Sequence, residues 1–261
     1  MSTTFTKPAI SARMPNRGGG LACIAVAAIM GVAACGTSST PAQSTASSAG
    51  QPTTTAVAQS ACTSLGGTLD TKQICHVRAA TPTSNLDFRF PVDYPDQQAV
   101  TDFLVQRRDQ FNDWVAHQPP RGSSVSYRLD IGGHAYRSGT PTLGTQSLLL
   151  DIGNDTGINP VTTFKAFNYD LAKHTAITFD TLFKAGTKPL EVLNPIVQRE
   201  LDKHDAPGLL TLNELGAAAY QSFAITDDAV IFFFNQYGLL PHVDGPLKVA
   251  VPRAELAPML A

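Results

Sequence analysis

Val32-Ala33-Ala34-Cys35 limits what this chain can fold into, because it reads as a bacterial lipobox that removes residues 1–34 from the mature protein. Lys7, Arg13 and Arg17 make the leader positive, and no acidic residue occurs before Asp70. Leu21 to Val32 is an apolar run of twelve residues interrupted only by Gly31. A spanning helix needs about 20 apolar residues, so this run suits a signal h-region instead. Small residues lead up to Cys35, the position that the lipoprotein pathway acylates. Several palmitate-type chains on one cysteine bind membranes durably, where a single chain binds only marginally. The expected address is the cell envelope, lipid-anchored on the extracytoplasmic side of the membrane.

Folding therefore falls to the 227 residues from Cys35 onward. Loss of three basic residues with the leader leaves 16 basic against 21 acidic, a formal net charge of −5. That balance lacks the basic footprint of a nucleic-acid-binding protein. Of the four cysteines, Cys23 leaves with the leader and Cys35 takes the lipid. Cys62 and Cys75 remain, in a compartment where disulfides persist, with Gly66-Gly67 able to turn the loop between them. A bridge of this loop size contributes roughly 3 kcal/mol in the chain-entropy model. A zinc site on Cys62, Cys75 and His76 is the competing reading, but the spacing matches no common pattern and a fourth ligand is missing.

Gly36 to Ser60 holds twelve Ser or Thr among 25 residues, no charge, and Pro41 and Pro52. Such a segment cannot offset its ordering entropy, so residues 35–60 read as a disordered tether with a reach of roughly 25–30 Å. Folded structure is expected from Ala61. Ile74–Arg78 and Leu86–Val92 read as strands, and Asp96–His117 as the strongest helix, stopped by Pro119-Pro120. Its stripe of Val100, Phe103, Leu104, Phe111, Trp114 and Val115 reads as a core-facing surface, with Arg107 and Arg108 on a solvated one. Further strands are expected at Val125–Tyr136, Gln146–Ile152, Val161–Tyr169, Phe223–Ile225, Val230–Phe234 and Lys248–Val251. Pro189–Asp202 reads as a second helix, Thr178–Phe183 as a helical turn, and Pro252 as the start of a short terminal helix. The continuous apolar run Val230–Phe234 calls for burial on both faces. This mixture makes the fold class α+β, with antiparallel sheets and two main helices.

The landmarks Tyr94-Pro95-Asp96-Gln97, Thr163-Phe164-Lys165-Ala166-Phe167, Ile177–Phe183, Ile231–Asn235 and Val251-Pro252-Arg253, together with the cysteine pair, are specific in combination. With them the folded part resembles the mycobacterial secreted immunogenic proteins of the MPT/MPB antigen type. The C-terminal half also resembles the extracellular module of RsiV-type anti-sigma factors, whose partner is lysozyme. The resemblance implies a small N-terminal α/β unit, 61–155, packed with an RsiV-like unit, 156–261, in a surface recognition role. Two departures matter. The segment before the h-region is too short for a cytosolic sigma-binding domain, and the lipobox would retain a protein whose best-known relatives look freely secreted.

A hydrolase needs an activated nucleophile, a base and an oxyanion site. The chain has no G-x-S-x-G elbow and no H-E-x-x-H motif among its six histidines. Neither a metal nor a cofactor is called for. His242, oriented by Asp244, is the best candidate base, in a loop that follows an apolar strand. The same loop, Asn235 to Gly245, carries Gln236 and Tyr237 and has the aromatic–polar mixture of a partner surface. The expectation is a noncatalytic, membrane-anchored recognition module for a protein or cell-wall glycan. The alternatives are a cell-wall esterase with a triad drawn from distant segments, and a secreted immunogenic effector.

Overall fold

Two cores organise the protein, one beneath a long helix and one beneath a phenylalanine-rich sheet. The computed structural model describes residues 54–121, 125–157, 159–203, 215–239 and 246–261. Cys35, the leader, most of the tether, His242 and Asp244 lie outside them.

The chain begins with helix α1 (Thr54–Ser64), then strands β1 (Thr68–Leu69), β2 (Ile74–Ala80) and β3 (Ser84–Pro91). Helix α2 (Gln97–Ala116) follows, then β4 (Tyr127–Ser138), β5 (Thr145–Asp155), β6 (Val161–Asp170) and β7 (Thr175–Ala176). These seven strands form one sheet in sequential order. The tether expected to run to Ser60 therefore gives way to helix at Thr54. Alanines and the absence of any break after Pro52 let this segment turn helical despite its Ser/Thr content.

Neighbouring strands are antiparallel except β3 and β4, which are parallel. The exception follows from α2, whose 20 residues return the chain to the end of the sheet where β3 started. Asp96 caps α2, its carboxylate accepting from the Ala99 N–H at 3.3 Å. Val100, Leu104 and Phe111 from the predicted stripe are buried against β2–β5, with Phe103, Trp114 and Val115 packed at the margin. The stripe is core.

The remaining elements are α3 (Phe179–Leu182), α4 (Pro189–Leu201), a 3-10 turn (Ala217–Tyr220), β8 (Phe223–Ile225), β9 (Ala229–Phe234), β10 (Leu247–Pro252) and α5 (Arg253–Leu256). Strands β8–β10 make a second, antiparallel sheet in the order β10-β9-β8. Val230, Phe232 and Phe234 of β9 enter the core beneath α4, where Leu193, Val197 and Leu201 meet them. Phe233 points the other way, into a smaller cluster with Leu149 and Ala224 between the two sheets. Burial of this run on both faces is thus explained by one core on each side.

Polar contacts join the sheets as well. The Ile225 N–H donates to the buried Ser147 hydroxyl at 3.0 Å, and the Asn168 amide donates to the Phe223 carbonyl at 2.9 Å. Strands β5 and β6, on either side of the 155/156 division, pair along their length. The two large hydrophobic clusters part instead between Tyr169 and Ile177.

Candidate functional site

Cys62 and Cys75 form a disulfide with a Cα–Cα distance of 5.5 Å. His76 faces Asp70 at 3.1 Å, so the residues of the zinc alternative are otherwise engaged. Gly67 is required where it stands: a Cβ there would meet Cys75 Sγ at 2.8 Å and Cys62 Sγ at 2.9 Å.

The predicted partner loop begins at Asn235, and its first residues do structural work. Strand β6 has an edge that β7 covers only at Tyr169 and Asp170. Over the uncovered part, the Thr162 N–H donates to Gln236 Oε1 at 2.9 Å and the Phe164 N–H donates to Asn235 Oδ1 at 2.7 Å. The Gln236 N–H returns a bond to the Thr162 carbonyl at 2.9 Å. Side-chain amides thus blunt an edge that would otherwise pair with another chain. Tyr237 is different: it is 47% exposed and holds a left-handed backbone at φ 62°. For a bulky residue this conformation is disfavoured and marks a candidate for function. A cavity of about 290 Å³ opens beside this loop, between Phe164, Ala219, Phe233 and Leu239.

Among the described residues, His76, His117 and His134 find carboxylates or a carbonyl rather than serine hydroxyls. His134 Nε2 lies 2.9 Å from Asp151 Oδ1 on the outer face of β4 and β5, and both are about half exposed. Tyr136 shares that face, and burial together with the Asp151 charge pushes its hydroxyl pKa up. Ser147 sits opposite Tyr136 in register but is fully buried. His117 Nδ1 meets the Asp113 carbonyl at 2.7 Å. No local pattern links His134 to Asp151, because the two residues meet only through the register of β4 and β5.

A second feature lies at the rim of the first core. Arg107, Gln110, Phe111 and Trp114 of α2 face Leu129, Asn154 and Thr156 across a cavity of about 200 Å³. Arg107 Nε and Asn154 Oδ1 are buried and make no hydrogen bond among the described residues. A buried polar atom left unpaired costs about 1–3 kcal/mol, so two at one cavity call for an explanation. Trp114 packs nearly perpendicular to Tyr127 with ring centres 5.0 Å apart. Arg121 stacks on the same tyrosine at 4.8 Å and pairs with Asp155 at 2.8 Å.

These features define a disulfide-bonded α+β domain with two sheets, an open polar sheet face and a half-buried aromatic–amide cavity. Comparison with known proteins agrees on the class. Residues 180–254 match the family described as "Protein of unknown function (DUF3298)". The fold is shared with the crystal structure of a DUF3298 family protein from Pseudomonas aeruginosa, at a TM-score of 0.53 and 11% identity over 74% of this chain and 95% of that one.

Sequence relatives place the chain more narrowly. It is 46% identical over 201 residues to Esterase Rv3036c of Mycobacterium tuberculosis, covering 76% of this chain and 88% of that protein. It is 41% identical over 203 residues to the immunogenic proteins MPB64 of Mycobacterium bovis and MPT64 of Mycobacterium tuberculosis, covering 77% of this chain and 88% of each. The chain belongs to the family of these mycobacterial proteins.

Proposed function

We propose that this protein is an extracytoplasmic lipoprotein, anchored through Cys35, that recognises a protein or cell-wall glycan without catalysing a reaction on it. The disulfide supports the compartment, since such bonds persist outside the reducing cytosol. No helix among the described residues is long and apolar enough to cross a membrane, and the reading assigns the anchoring to an acyl group on Cys35. The observation that carries the reading is that, among the described residues, the two histidine–carboxylate contacts, His76 with Asp70 and His134 with Asp151, hold no serine hydroxyl. His134 and Asp151 face outward, and the serine nearest them in register, Ser147, is fully buried and accepts the Ile225 N–H.

Within the loop of Gln236, Tyr237, His242 and Asp244, the reading assigns the contact to Tyr237 and His242, because Gln236 is bonded to the sheet edge. The test is capture of partners from envelope extract by the intact protein and by the double variant Tyr237→Ala, His242→Ala. Weakened capture with an unchanged melting temperature is expected. Equal capture by both would reduce the loop to a connection.

An esterase is the second reading, favoured by 46% identity to a relative that bears that name. It needs a serine brought to a base such as His242 from a distant segment, and it predicts serine-dependent hydrolysis of short acyl esters.

A further inference from the structure

We infer that the cavity where the ends of β5, β6 and β8 meet β7, α3 and α5 binds a short aliphatic carboxylate, a small ligand beyond the recognition reading above. Charge is the first argument. Three of the side chains lining this cavity are charged, Asp170, Lys173 and Arg253. Asp170 Oδ1 accepts from the Ala172 and Lys173 N–H groups, each at 2.9 Å, and Oδ2 lies 3.5 Å from the Lys173 ammonium. Those two charges offset each other. Arg253 has no such partner: its Nη1 donates to Ser138 Oγ at 2.7 Å and to the Thr226 carbonyl at 3.2 Å, both neutral. Among the described residues it pairs with no carboxylate, which leaves the cavity one positive charge in excess.

The geometry of that guanidinium names the anion. Its Nε and Nη2 make no hydrogen bond among the described residues, and neither is a buried atom, because the side chain is partly exposed. Nε–H and one Nη2–H lie parallel along one edge of the group, the fork that takes both oxygens of a carboxylate. The bonds from Nη1 fix the plane of the guanidinium and leave this edge unused. By contrast, Arg107 Nε and Asn154 Oδ1 beside α2 are buried and present nothing to a ligand.

The walls specify the rest of the molecule. Ala176 is exposed, Ile177 and Leu260 are partly exposed, and Leu182 closes the inner side. Among the described residues no aromatic ring lines the space, so nothing there stacks on a planar ligand. An alkyl chain meets these branched side chains through burial alone. The volume is about 220 Å³. A cavity of ~150 Å³ takes the six carbons of benzene, so this one takes a carboxylate with roughly six carbons behind it.

The test is calorimetric titration of the intact protein with butanoate, hexanoate and octanoate, beside 1-hexanol, which has the chain without the charge. Hexanoate should bind with a dissociation constant on the order of millimolar. Affinity should rise about fourfold for each methylene added and level off near eight carbons. Hexanol should bind about tenfold more weakly than hexanoate. Arg253→Lys keeps the charge and removes the fork; it should weaken hexanoate about tenfold and leave hexanol unchanged. Ala176→Trp, at an exposed position, fills the mouth and should weaken hexanoate by at least about tenfold at an unchanged melting temperature. It decides the matter if the Arg253 variant fails to fold. Absence of saturable binding, equal affinity for hexanoate and hexanol, or wild-type affinity in either folded variant overturns the assignment.

Discussion

Gln236 and Thr162 are bonded twice, once through the Gln236 N–H to the Thr162 carbonyl and once from the Thr162 N–H to Gln236 Oε1, each at 2.9 Å. A loop residue thereby completes the ladder of β6 where no strand does. Gln236→Ala removes the side-chain half and leaves a strand N–H without its partner. The expected loss is about 1–2 kcal/mol in denaturant unfolding, with increased self-association from the freed edge. Unchanged stability would mean that water replaces the amide without penalty.

The disulfide gives a second prediction. Reduction, or Cys62→Ala with Cys75→Ala, should lower stability by about 3 kcal/mol. Gly67→Ala should also destabilise the oxidised protein, because its Cβ would come within 2.9 Å of both sulfurs. Thermal melts with and without reductant check both, and mass spectrometry finding two free thiols would exclude the bridge.

Acid provides a third. The Ile74 N–H donates to Asp70, and that bond, with His76 beside it, holds the carboxyl below its ordinary 3.8. Asp170 is held down in the same way, first by the Lys173 N–H. A depressed carboxyl contributes stability above its unfolded pKa and loses it as pH falls through the folded one. Stability should therefore drop below about pH 4, and Asp70→Asn should flatten part of that drop. A wild-type acid profile retained in the Asp70→Asn and Asp170→Asn variants would contradict this.

Much of the fold was legible because its signals are local. Asp96 at the start of α2 and Pro119-Pro120 beyond its end bracket one apolar stripe, and the structure caps and buries it accordingly. The run Val230–Phe234 lacks polar alternation, and both its faces are indeed covered. The parallel β3–β4 pair was not legible, since strand direction depends on where a helix returns the chain rather than on any residue pattern. β1 and β7 have two residues each, too few to show a period. The α2 cavity was hidden for a related reason. Trp114 alone reads as core and Arg107 alone as solvated, and only Asn154, brought in by β5, reveals the unmatched donor and acceptor.

The proposed lipid anchor yields a fourth prediction. Cys35→Ser should move the protein from the membrane fraction to the soluble extracytoplasmic fraction, because no other part of the mature sequence has an apolar run long enough to hold it. Membrane retention of the variant, followed by fractionation and immunoblotting, would point to an anchor other than lipid.

The claim that binding rather than catalysis is the protein's role meets its most direct test in ester hydrolysis. Intact, purified protein is incubated with p-nitrophenyl esters of acetate and butyrate, beside variants that replace serines singly. The account predicts release at the rate of buffer alone for every sample. Turnover by the wild type that disappears on replacement of one serine would contradict it and make the protein an esterase.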